Sequence, residues 1–373
     1  MKARIAIGGS VAQKPGNAGH TWQFLQYLLG FRRLGYEVML VDSLAAADPS
    51  TWARGVDYVE RTMQRHGLDG AWSVALGHGR YAGVDRVRVL EHLRASDLLL
   101  NVMGFVDDEE LLAAAPFRVF LDTDPGFGQL WRELELADVF AGHDAHVTIG
   151  ERIGKPDCDL PTCGLRWITT PQPVVLGEWP RVHKPPRRGF TSVASWRGAY
   201  GPIDYRGRRY GLRVHEFRRF VELPRITRCR FEPALAIDAG DAADRALLED
   251  AGWRLLDPAA VAGTTAEYRR FIAGSAAELM IAKGIYVQTR SGWMSERSLC
   301  YLASGRPVLA QDTGLGDRYP LGEGLLAFES FDQAVTGVEE IAAHPGRHAA
   351  AARAIAEEHF DSDRVLSRLL ACL

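Results

Sequence analysis

The most informative stretch of the chain is RSGWMSERS at residues 290–298. It leads through an apolar turn into GRPVLAQDTG at residues 305–314. Its first half predicts a tight glycine-containing loop and a short helix with Ser295 at the N-cap. Its second half predicts a stop at Gly305 and a buried strand that ends in polar residues. The free N–H groups and positive dipole end of such a helix favour an anion. Since Arg290 and Arg297 flank the helix start, the sequence predicts a nucleoside diphosphate site.

The beginning of the chain predicts a second α/β unit. Residues 3–7 are a short apolar run, typical of a buried strand, and lead into a glycine-rich polar loop. Apolar residues then recur at helical spacing from about His20, and Gly35 is placed to close that helix. Residues 37–41 return as a strand ending at Asp42. A strand, a helix and a strand in this order predict a βαβ unit with parallel pairing.

Further strands are predicted at residues 98–102 and 118–121, each running into a polar or glycine-rich turn. Residues 143–154 are another candidate for a strand and turn. In open α/β sheets, ligands bind at the carboxyl ends of the strands. We therefore expect the wall of an N-terminal cleft to include Asn101, Gly104, Asp122, Asp124, Gly126 and Gln129.

Three prolines and alternating charges at residues 177–188 favour a domain linker. A second set of strands is predicted near residues 190–194, 234–237, 253–255, 279–281, 308–310 and 325–328. The expected division is an N-terminal domain at 1–178, a linker at 179–188 and a nucleotide-binding domain at 189–345. Residues 346–373 are expected to form helices that pack back toward the N-terminal domain. The predicted fold class is α/β, with two Rossmann-like parallel-sheet domains facing a central cleft.

Composition excludes several classes of protein. The chain has 373 residues with 47% hydrophobic and 24% charged residues, which is globular composition with room for two cores. A net charge of −3 gives no basic field for nucleic acid or an anionic membrane. No apolar run approaches the length of a transmembrane helix. The five cysteines are scattered without a CxxC pair, which favours reduced thiols in the cytoplasm over a disulfide framework or zinc. A homodimer is left open.

Two stretches carry a resemblance to a known family. Gly19-His20, followed by Gly35 and then Glu37-Val38, is similar to the "GH … GHEV" opening of inverting GT-B glycosyltransferases. Residues 291–295 with 305–308 downstream resemble the "HxGWNS … GxPxV" donor signature of the same family. Together they cover about a fifth of the chain. The resemblance implies a sugar nucleotide held by the C-terminal domain and an acceptor held by the N-terminal one.

The chain departs from the donor signature at three positions. Arg290 stands where the family has His, and Met294 stands where it has Asn. Counting back from Gly305, the position of the family's ribose-binding glutamate falls on Cys300. A carboxylate that accepts the ribose hydroxyls must then come from Glu296 or Asp312.

The resemblance and the residue types together give a set of candidate site residues. Histidine at a loop-to-helix junction can take a proton near neutral pH, so His20 is the predicted general base, with Asp122 or Asp124 orienting or replacing it. The predicted donor-binding residues are Trp196, Lys283, Arg290, Ser291, Gly292, Ser295, Glu296, Arg297, Ser298, Gln311, Asp312, Thr313 and Gly314. The predicted acceptor-side residues are Asn17, Gly19, Asn101, Gly104 and His143. Each has a structural alternative, such as a helix opener for His20, turn carboxylates for the aspartates and core packing for Trp196.

The sequence thus predicts a cytoplasmic, metal-independent glycosyltransferase without a resident cofactor. Its expected substrates are a nucleoside diphosphate sugar and a small-molecule or cell-envelope acceptor. Two alternatives stay open: an epimerase of the same fold that acts on the sugar nucleotide itself, and a non-catalytic protein that binds it. The residues do not identify the nucleobase of the donor, the sugar that is transferred or the acceptor.

Overall fold

The computed structural model describes residues 3–373, and its N-terminal half is built on a sheet of eight strands. These are β1 (Arg4–Gly8), β2 (Glu37–Ser43), β3 (Trp72–Ala75), β4 (Tyr81–Gly83), β5 (Leu98–Val102), β6 (Arg118–Asp122), β7 (Ala145–Thr148) and β8 (Trp167–Thr169). Their order is β4-β3-β2-β1-β5-β6-β7-β8, and only β4 runs antiparallel to its neighbour. The helices of this half are α1 (Ala18–Arg33), α2 (Pro49–Arg65), α3 (Arg86–Arg94), α4 (Glu109–Ala114) and α5 (Phe127–Glu133). The predicted βαβ unit is confirmed, with β1 and β2 parallel.

Helix α1 begins and ends where local chemistry allows it. The side chain of Asn17 accepts a hydrogen bond from the His20 backbone N–H at 3.2 Å, which satisfies one of the free donors of the first turn. Gly35 follows the helix with a φ of +96°, a left-handed conformation that glycine adopts without strain. The helix therefore starts two residues before His20, which places that side chain in its first turn beside the end of β1.

The C-terminal half contains a second parallel layer. Its strands are β9 (Phe190–Thr191), β10 (Val193–Ser195), β11 (Ile203–Tyr205), β12 (Arg208–Tyr210), β13 (Ala234–Ala236), β14 (Ala277–Met280), β15 (Val308–Gln311) and β16 (Leu325–Phe328). Strands β16, β15, β14 and β9 pair in that order, and the chain continues from β9 into β10, which pairs with β13. These pairings are parallel, whereas β11 and β12 form a separate antiparallel hairpin.

Helices connect the strands of this half, and three more follow its last strand. They are α6 (Arg213–Phe217), α7 (Leu223–Thr227), α8 (Ala242–Asp250), α9 (Pro258–Ala262), α10 (Thr265–Ala273), α11 (Gly284–Gln288), α12 (Glu296–Ala303), α13 (Phe331–Ala343), α14 (Pro345–Ile355) and α15 (Ser362–Cys372). The strand expected at residues 253–255 does not form. Hydrogen bonds from the Arg254 and Leu256 N–H groups join this segment to the residues before β13, and it forms an isolated bridge between Leu256 and Ala234.

The last helix returns to the first half of the molecule. The Gly30 position of α1 lies so close to Leu366 of α15 that a Cβ atom there would sit 2.5 Å from its Cδ1. An ion pair of 2.8 Å joins Arg33 to Asp363. Between β8 and β9, residues 170–189 contain no helix or named strand, and Val174 bonds the backbone just before α15. We propose this segment as the boundary between the two domains.

Candidate active-site cleft

A cavity of about 860 Å³ lies between the two sheets. On the N-terminal side its wall is made by the first turn of α1 and by the loops that follow β1, β5 and β6. On the C-terminal side it is made by the loops after β10 and β13 and by the start of α12. Because parallel strands present their carboxyl ends at one edge, two facing sheets concentrate polar loop residues in such a cleft.

His20 lines this cleft from α1. Its Nε2 lies 3.0 Å from the Ser10 hydroxyl and 3.2 Å from the Ser10 carbonyl oxygen, and its ring packs edge-on against Phe24. Burial, reinforced by the charge of Lys14, lowers the His20 pKa to about 3. The imidazole is therefore uncharged at neutral pH. Donation of the Nε2 proton to the Ser10 carbonyl would leave Nδ1 as its basic nitrogen.

The two aspartates after β6 have different surroundings. Asp122 is buried and accepts hydrogen bonds from Gln129 Nε2 at 2.8 Å and Thr148 Oγ1 at 2.9 Å. Burial raises its pKa to about 6. It also receives the backbone N–H of Asp124 at 3.0 Å, so it shapes the turn and does not line the cleft. Asp124 does line the cleft, and its carboxylate pairs with Lys283 Nζ at 2.6 Å.

Five cationic residues line the cleft: Lys14, Arg213, Arg245, Lys283 and Arg297. Arg213 is buried, and its guanidinium donates to the carbonyl oxygens of Ile281 at 3.0 Å and Ser195 at 2.9 Å. Burial and the nearby Arg297 charge lower its pKa to about 10, so it stays charged at neutral pH. The five cations outnumber the three carboxylates on the same walls, Asp124, Asp257 and Glu296, and this excess of positive charge suits a ligand with several negative charges.

Arg297 lines the cleft and has one guanidinium nitrogen without a hydrogen-bond partner among the described residues. Its Nε pairs with the fully buried Glu278 of β14, and its Nη1 donates to the Val193 carbonyl at 2.7 Å. Burial opposes the charge of Arg297, but the Glu278 carboxylate outweighs it and raises the guanidinium pKa. Nη2 is buried and has no hydrogen-bond partner among the described residues. A buried donor without a partner is costly, so Arg297 carries an unsatisfied hydrogen-bonding group next to the cleft that it lines.

The start of α12 supplies the remaining donor-side groups. Ser295 is its N-cap, as predicted, and its Oγ accepts from the Arg297 N–H. Glu296 follows as the first helical residue, lines the cleft, and burial raises its pKa. Of the two carboxylates considered as replacements for the family's ribose ligand, only Glu296 faces the cavity. Cys300, one turn further on, is buried and 3.6 Å from Gln26 of α1, away from the cleft.

The glycines of the two diagnostic loops have a different role from the expected one. A Cβ atom at Gly292 would lie 2.8 Å from Arg152 Cγ, and one at Gly314 would lie 2.4 Å from Arg152 Cδ. Arg152 belongs to the N-terminal half and pairs with Asp157 and Asp317. Both glycines also have positive φ, at +73° and +94°. Glycine at these two positions is therefore favoured by the backbone conformation and by the arginine of the opposite domain that packs between the loops.

Two expected donor contacts lie outside the cleft. The Trp196 ring is 1% exposed, donates its Nε1–H to Asp244 at 2.9 Å and packs on Phe217. It is a core residue, so it cannot stack on a base from there. Arg290 is 44% exposed and faces Asp157, Asp312 and Glu329 at 3.6–3.9 Å on the outer side of its loop. Sequence proximity to the helix start was misleading because the loop turns the two arginines to opposite sides.

Other predicted residues lie outside the cavity lining and form hydrogen bonds within the loops next to the cleft. Asn101 bonds Val106 and His143, and His143 in turn approaches Phe140, which holds the loop after β5. Asp312 accepts the N–H groups of Gly314 and Leu315, and Thr313 donates to the Trp293 carbonyl at 2.7 Å. The members of the predicted set outside the cavity lining are Asn101, Gly104, Asp122, His143, Trp196, Arg290, Ser291, Gly292, Ser298, Gln311, Asp312, Thr313 and Gly314. Those that line it are Asn17, Gly19, His20, Asp124, Lys283, Ser295, Glu296 and Arg297.

Sequence reasoning missed three cleft residues. Lys14 lies in the polar loop after β1, and its position directly after the first strand was an available signal. Arg213 opens α6 and Tyr286 lies within α11, and no local pattern singles out either. The Tyr286 ring stacks on Trp293 with centroids 4.2 Å apart, and its hydroxyl donates to Asp124. The contact between Tyr286 and Asp124 forms only when the two sheets face each other.

The described part of the chain lacks both a metal-binding cluster and a membrane-spanning helix. Among residues 3–373, no group of three or more His, Cys, Asp or Glu side chains is arranged to hold a metal ion. Within the same range, none of the helices has the length and apolar character needed to cross a membrane.

Comparison with solved structures decides the fold. HepE of Anabaena, solved with UDP and glucose, matches with a TM-score of 0.59 at 12% identity and covers 100% of both chains. AviGT4, a glycosyltransferase of avilamycin A biosynthesis, matches with a TM-score of 0.58 at 13% identity over 99% of this chain and 96% of its own. An alpha-glucosyltransferase solved with UDP and DNA has a TM-score of 0.60 at 12% identity over 100% and 99%. This protein has the GT-B fold. No protein-family model and no curated relative matches the sequence.

Proposed function

We propose that this protein is a glycosyltransferase that moves a sugar from a nucleoside diphosphate sugar to an acceptor hydroxyl. The observation that carries the proposal is the cluster of Lys14, Arg213, Lys283 and Arg297 at the interdomain cleft, with one buried guanidinium nitrogen left free. Fold likeness alone does not establish an activity, so the activity is inferred from the residues of this cleft. UDP is present in two of the neighbours compared above, and UDP-sugars are therefore the donors to test first.

The cations would serve the leaving group. In the transfer, a bond forms between the acceptor oxygen and C1 of the sugar while the bond from C1 to the diphosphate oxygen breaks. The diphosphate departs with the bonding electrons, and negative charge grows on its oxygen. Arg213, Lys283 and Arg297 are already in place to stabilise that charge, as is the positive end of α12. Charge stabilisation by these groups supports a metal-independent reaction.

Glu296 is proposed to bind the donor ribose. It lies at the start of α12 beside Ser295, on the same wall as Arg297, so its carboxylate can accept two neighbouring hydroxyls. Replacement by glutamine keeps the shape and removes the charge. We expect Glu296→Gln to weaken UDP binding by about 1.5–3 kcal/mol, as for a charged hydrogen bond. Binding of 2′,3′-dideoxy-UDP should not change, and an equal loss for both nucleotides would contradict the ribose role.

His20 is proposed to receive the acceptor proton. Its uncharged imidazole lies on the N-terminal wall, opposite α12. With a pKa of about 3, the imidazole is a weak base when no donor is bound. A weaker base accelerates proton transfer less. A bound diphosphate would offset the Lys14 charge, which is one cause of that low value, and so strengthen the base. Direct displacement with His20 as base inverts the configuration at C1. If another group takes the proton, a retaining route through the donor phosphate is the alternative.

The acceptor would enter from the N-terminal wall. Beside His20, this wall presents Asn17 and Gln23 together with the apolar side chains of Met103 and Phe105. A mixed surface of this kind suits a small molecule or an envelope precursor with both hydroxyls and an apolar portion.

The experiment that tests the proposal has two stages. A ligand that binds only the native state raises the melting temperature, so UDP, GDP, dTDP and CDP are compared first by thermal shift. UDP-sugars are then incubated with the protein, with and without a panel of hydroxyl acceptors, and the products are analysed by mass spectrometry. Sugar transfer that requires an acceptor supports the proposal. Epimerisation without acceptor would replace it with the epimerase, and nucleotide binding without turnover would leave a binding protein.

A further inference from the structure

One interdomain contact occupies the cation that a donor diphosphate needs. Lys283 precedes α11 in the C-terminal half, and its Nζ lies 2.6 and 2.9 Å from the two carboxylate oxygens of Asp124 in the N-terminal half. The Tyr286 hydroxyl donates to the same carboxylate. The Lys283 ammonium also lies 4.8 Å from the ring centroid of Phe127, another residue of the N-terminal half. The lysine is thus held from the opposite side of the cleft.

The surroundings of Lys283 explain why a carboxylate sits there. Its side chain is 13% exposed, and the cleft also holds Lys14 and Arg213. Burial disfavours the ammonium, and Asp124 supports its charged form. Asp124 is therefore the counter-ion of the cationic cluster formed by Lys283, Lys14 and Arg213. A diphosphate brings more charge and more acceptor oxygens to the same place, so the two anions compete.

We propose that the Asp124–Lys283 pair is a latch that the donor must open: the diphosphate takes Lys283, and the Asp124 carboxylate is released into the cleft. This inference rests on the proposed function. The released carboxylate then becomes a hydrogen-bond acceptor on the wall that also carries His20. An acceptor hydroxyl gains this partner only after the donor has bound. The latch therefore imposes an order in which the donor binds first and the acceptor second.

The latch makes a prediction opposite to that for an ordinary binding residue. Asp124→Asn removes the competing charge, so UDP should bind about ten- to a hundredfold more tightly, the range expected when one charged hydrogen bond no longer has to be broken. The affinity is measured by calorimetry on the full chain. Tyr286→Phe weakens the latch without removing it and keeps the ring that stacks on Trp293, so it should give a smaller gain.

Asp159→Asn is the matched control. Asp159 also forms an ion pair between the two halves, with Arg208 at 3.0 Å, but it lies outside the cleft lining. It removes the same charge and should leave the UDP affinity within about twofold, since exposed pairs contribute little. If Asp124→Asn binds UDP no more tightly than the wild type, or if Asp159→Asn gains equally, the latch is wrong while the proposed function stands. If UDP, GDP, dTDP and CDP bind neither the wild type nor any variant, the proposed function fails and the latch with it.

Discussion

At the scale of single residues, the partner of each charge determines what that charge can do. Arg290 and Arg297 are seven positions apart and looked equivalent in the sequence, yet Arg297 is buried against Glu278 and Arg290 is half exposed. Of the two, only Arg297 lines the cleft. Arg297 is a poor target for removal, because Glu278 would be left as a buried charge without a partner.

Lys283 and Arg290 therefore form a test pair for the donor site. We expect Lys283→Ala to weaken UDP binding by about 1.5–3 kcal/mol, because it deletes a cation from the cleft lining. Arg290→Ala removes the same charge outside the cleft and should leave the affinity unchanged. Calorimetry with both variants checks this. An equal loss for both would mean that the nucleotide binds at the outer side of the loop.

His20→Ala separates catalysis from binding. Loss of a general base lowers turnover by roughly 10²–10⁴-fold, whereas UDP affinity should be nearly unchanged because the nucleotide contacts the opposite wall. Steady-state kinetics, calorimetry and the melting temperature are measured on the same preparation. A fall in turnover below about tenfold, or a loss of stability of several kcal/mol, would show that His20 serves the fold through its contact with Ser10.

At the scale of elements, the loop before α12 is held in shape by the opposite domain. Gly292 has a φ of +73°, and a Cβ there would meet both the side chain and the backbone N of Arg152. The loop is also anchored by a 2.7 Å hydrogen bond from the Gly292 N–H to the Thr313 carbonyl. The two loops and Arg152 thus form one packed unit that fixes where α12 begins.

Substitution of Gly292 tests that unit. Gly292→Ala should lower the free energy of unfolding by about 1–3 kcal/mol, which is the cost of a strained backbone conformation. It should also weaken UDP binding, because the start of α12 would be displaced. Gly240→Ala is the control, because its φ is not in the left-handed region and a Cβ there would meet nothing within 4 Å. Urea denaturation of both variants gives the comparison, and similar stabilities would exclude the packing role of Arg152.

At the scale of the whole molecule, the two halves are joined by contacts far from the cleft as well as at it. Trp22 of α1 donates its Nε1–H to the Thr265 carbonyl at 3.1 Å, and His66 approaches the Thr265 hydroxyl at 3.1 Å. Burial, reinforced by the charges of Arg269, Arg65 and Arg32, lowers the His66 pKa to about 4. Protonating this histidine in the folded protein is therefore unfavourable.

This gives a prediction for stability against pH. The unfolded chain binds the His66 proton near pH 6.5, and the folded protein binds it only near pH 4. Because the unfolded state binds more protons in that window, the wild type should lose stability relative to His66→Gln as pH falls from 6.5 to 4. Asp42, with a pKa raised to about 7 by burial, acts in the opposite sense but is common to both proteins. Denaturation at pH 7.5 and 5 measures the difference, which should stay constant for the exposed control His183→Gln.

Local patterns in the sequence were sufficient for several of the elements. The strands at residues 98–102 and 325–328 and the N-cap at Ser295 follow from apolar runs, turn residues and capping chemistry, all within a few positions of one another. Parallel pairing follows from the alternation of strands and helices, and the carboxyl-end rule then places a cleft at the loops. These are the properties that depend on neighbours along the chain.

Tertiary structure decided which loop residues face the cleft. Glu278 of β14 forms an ion pair with Arg297 of α12, and Arg152 packs beside Gly292. Asp124 pairs with Lys283, which is 159 positions away in the sequence. Such contacts depend on how one sheet is placed against the other. A side chain's burial and charge partners, and therefore its pKa and its availability to a ligand, are properties of that placement and have no local signature in the sequence.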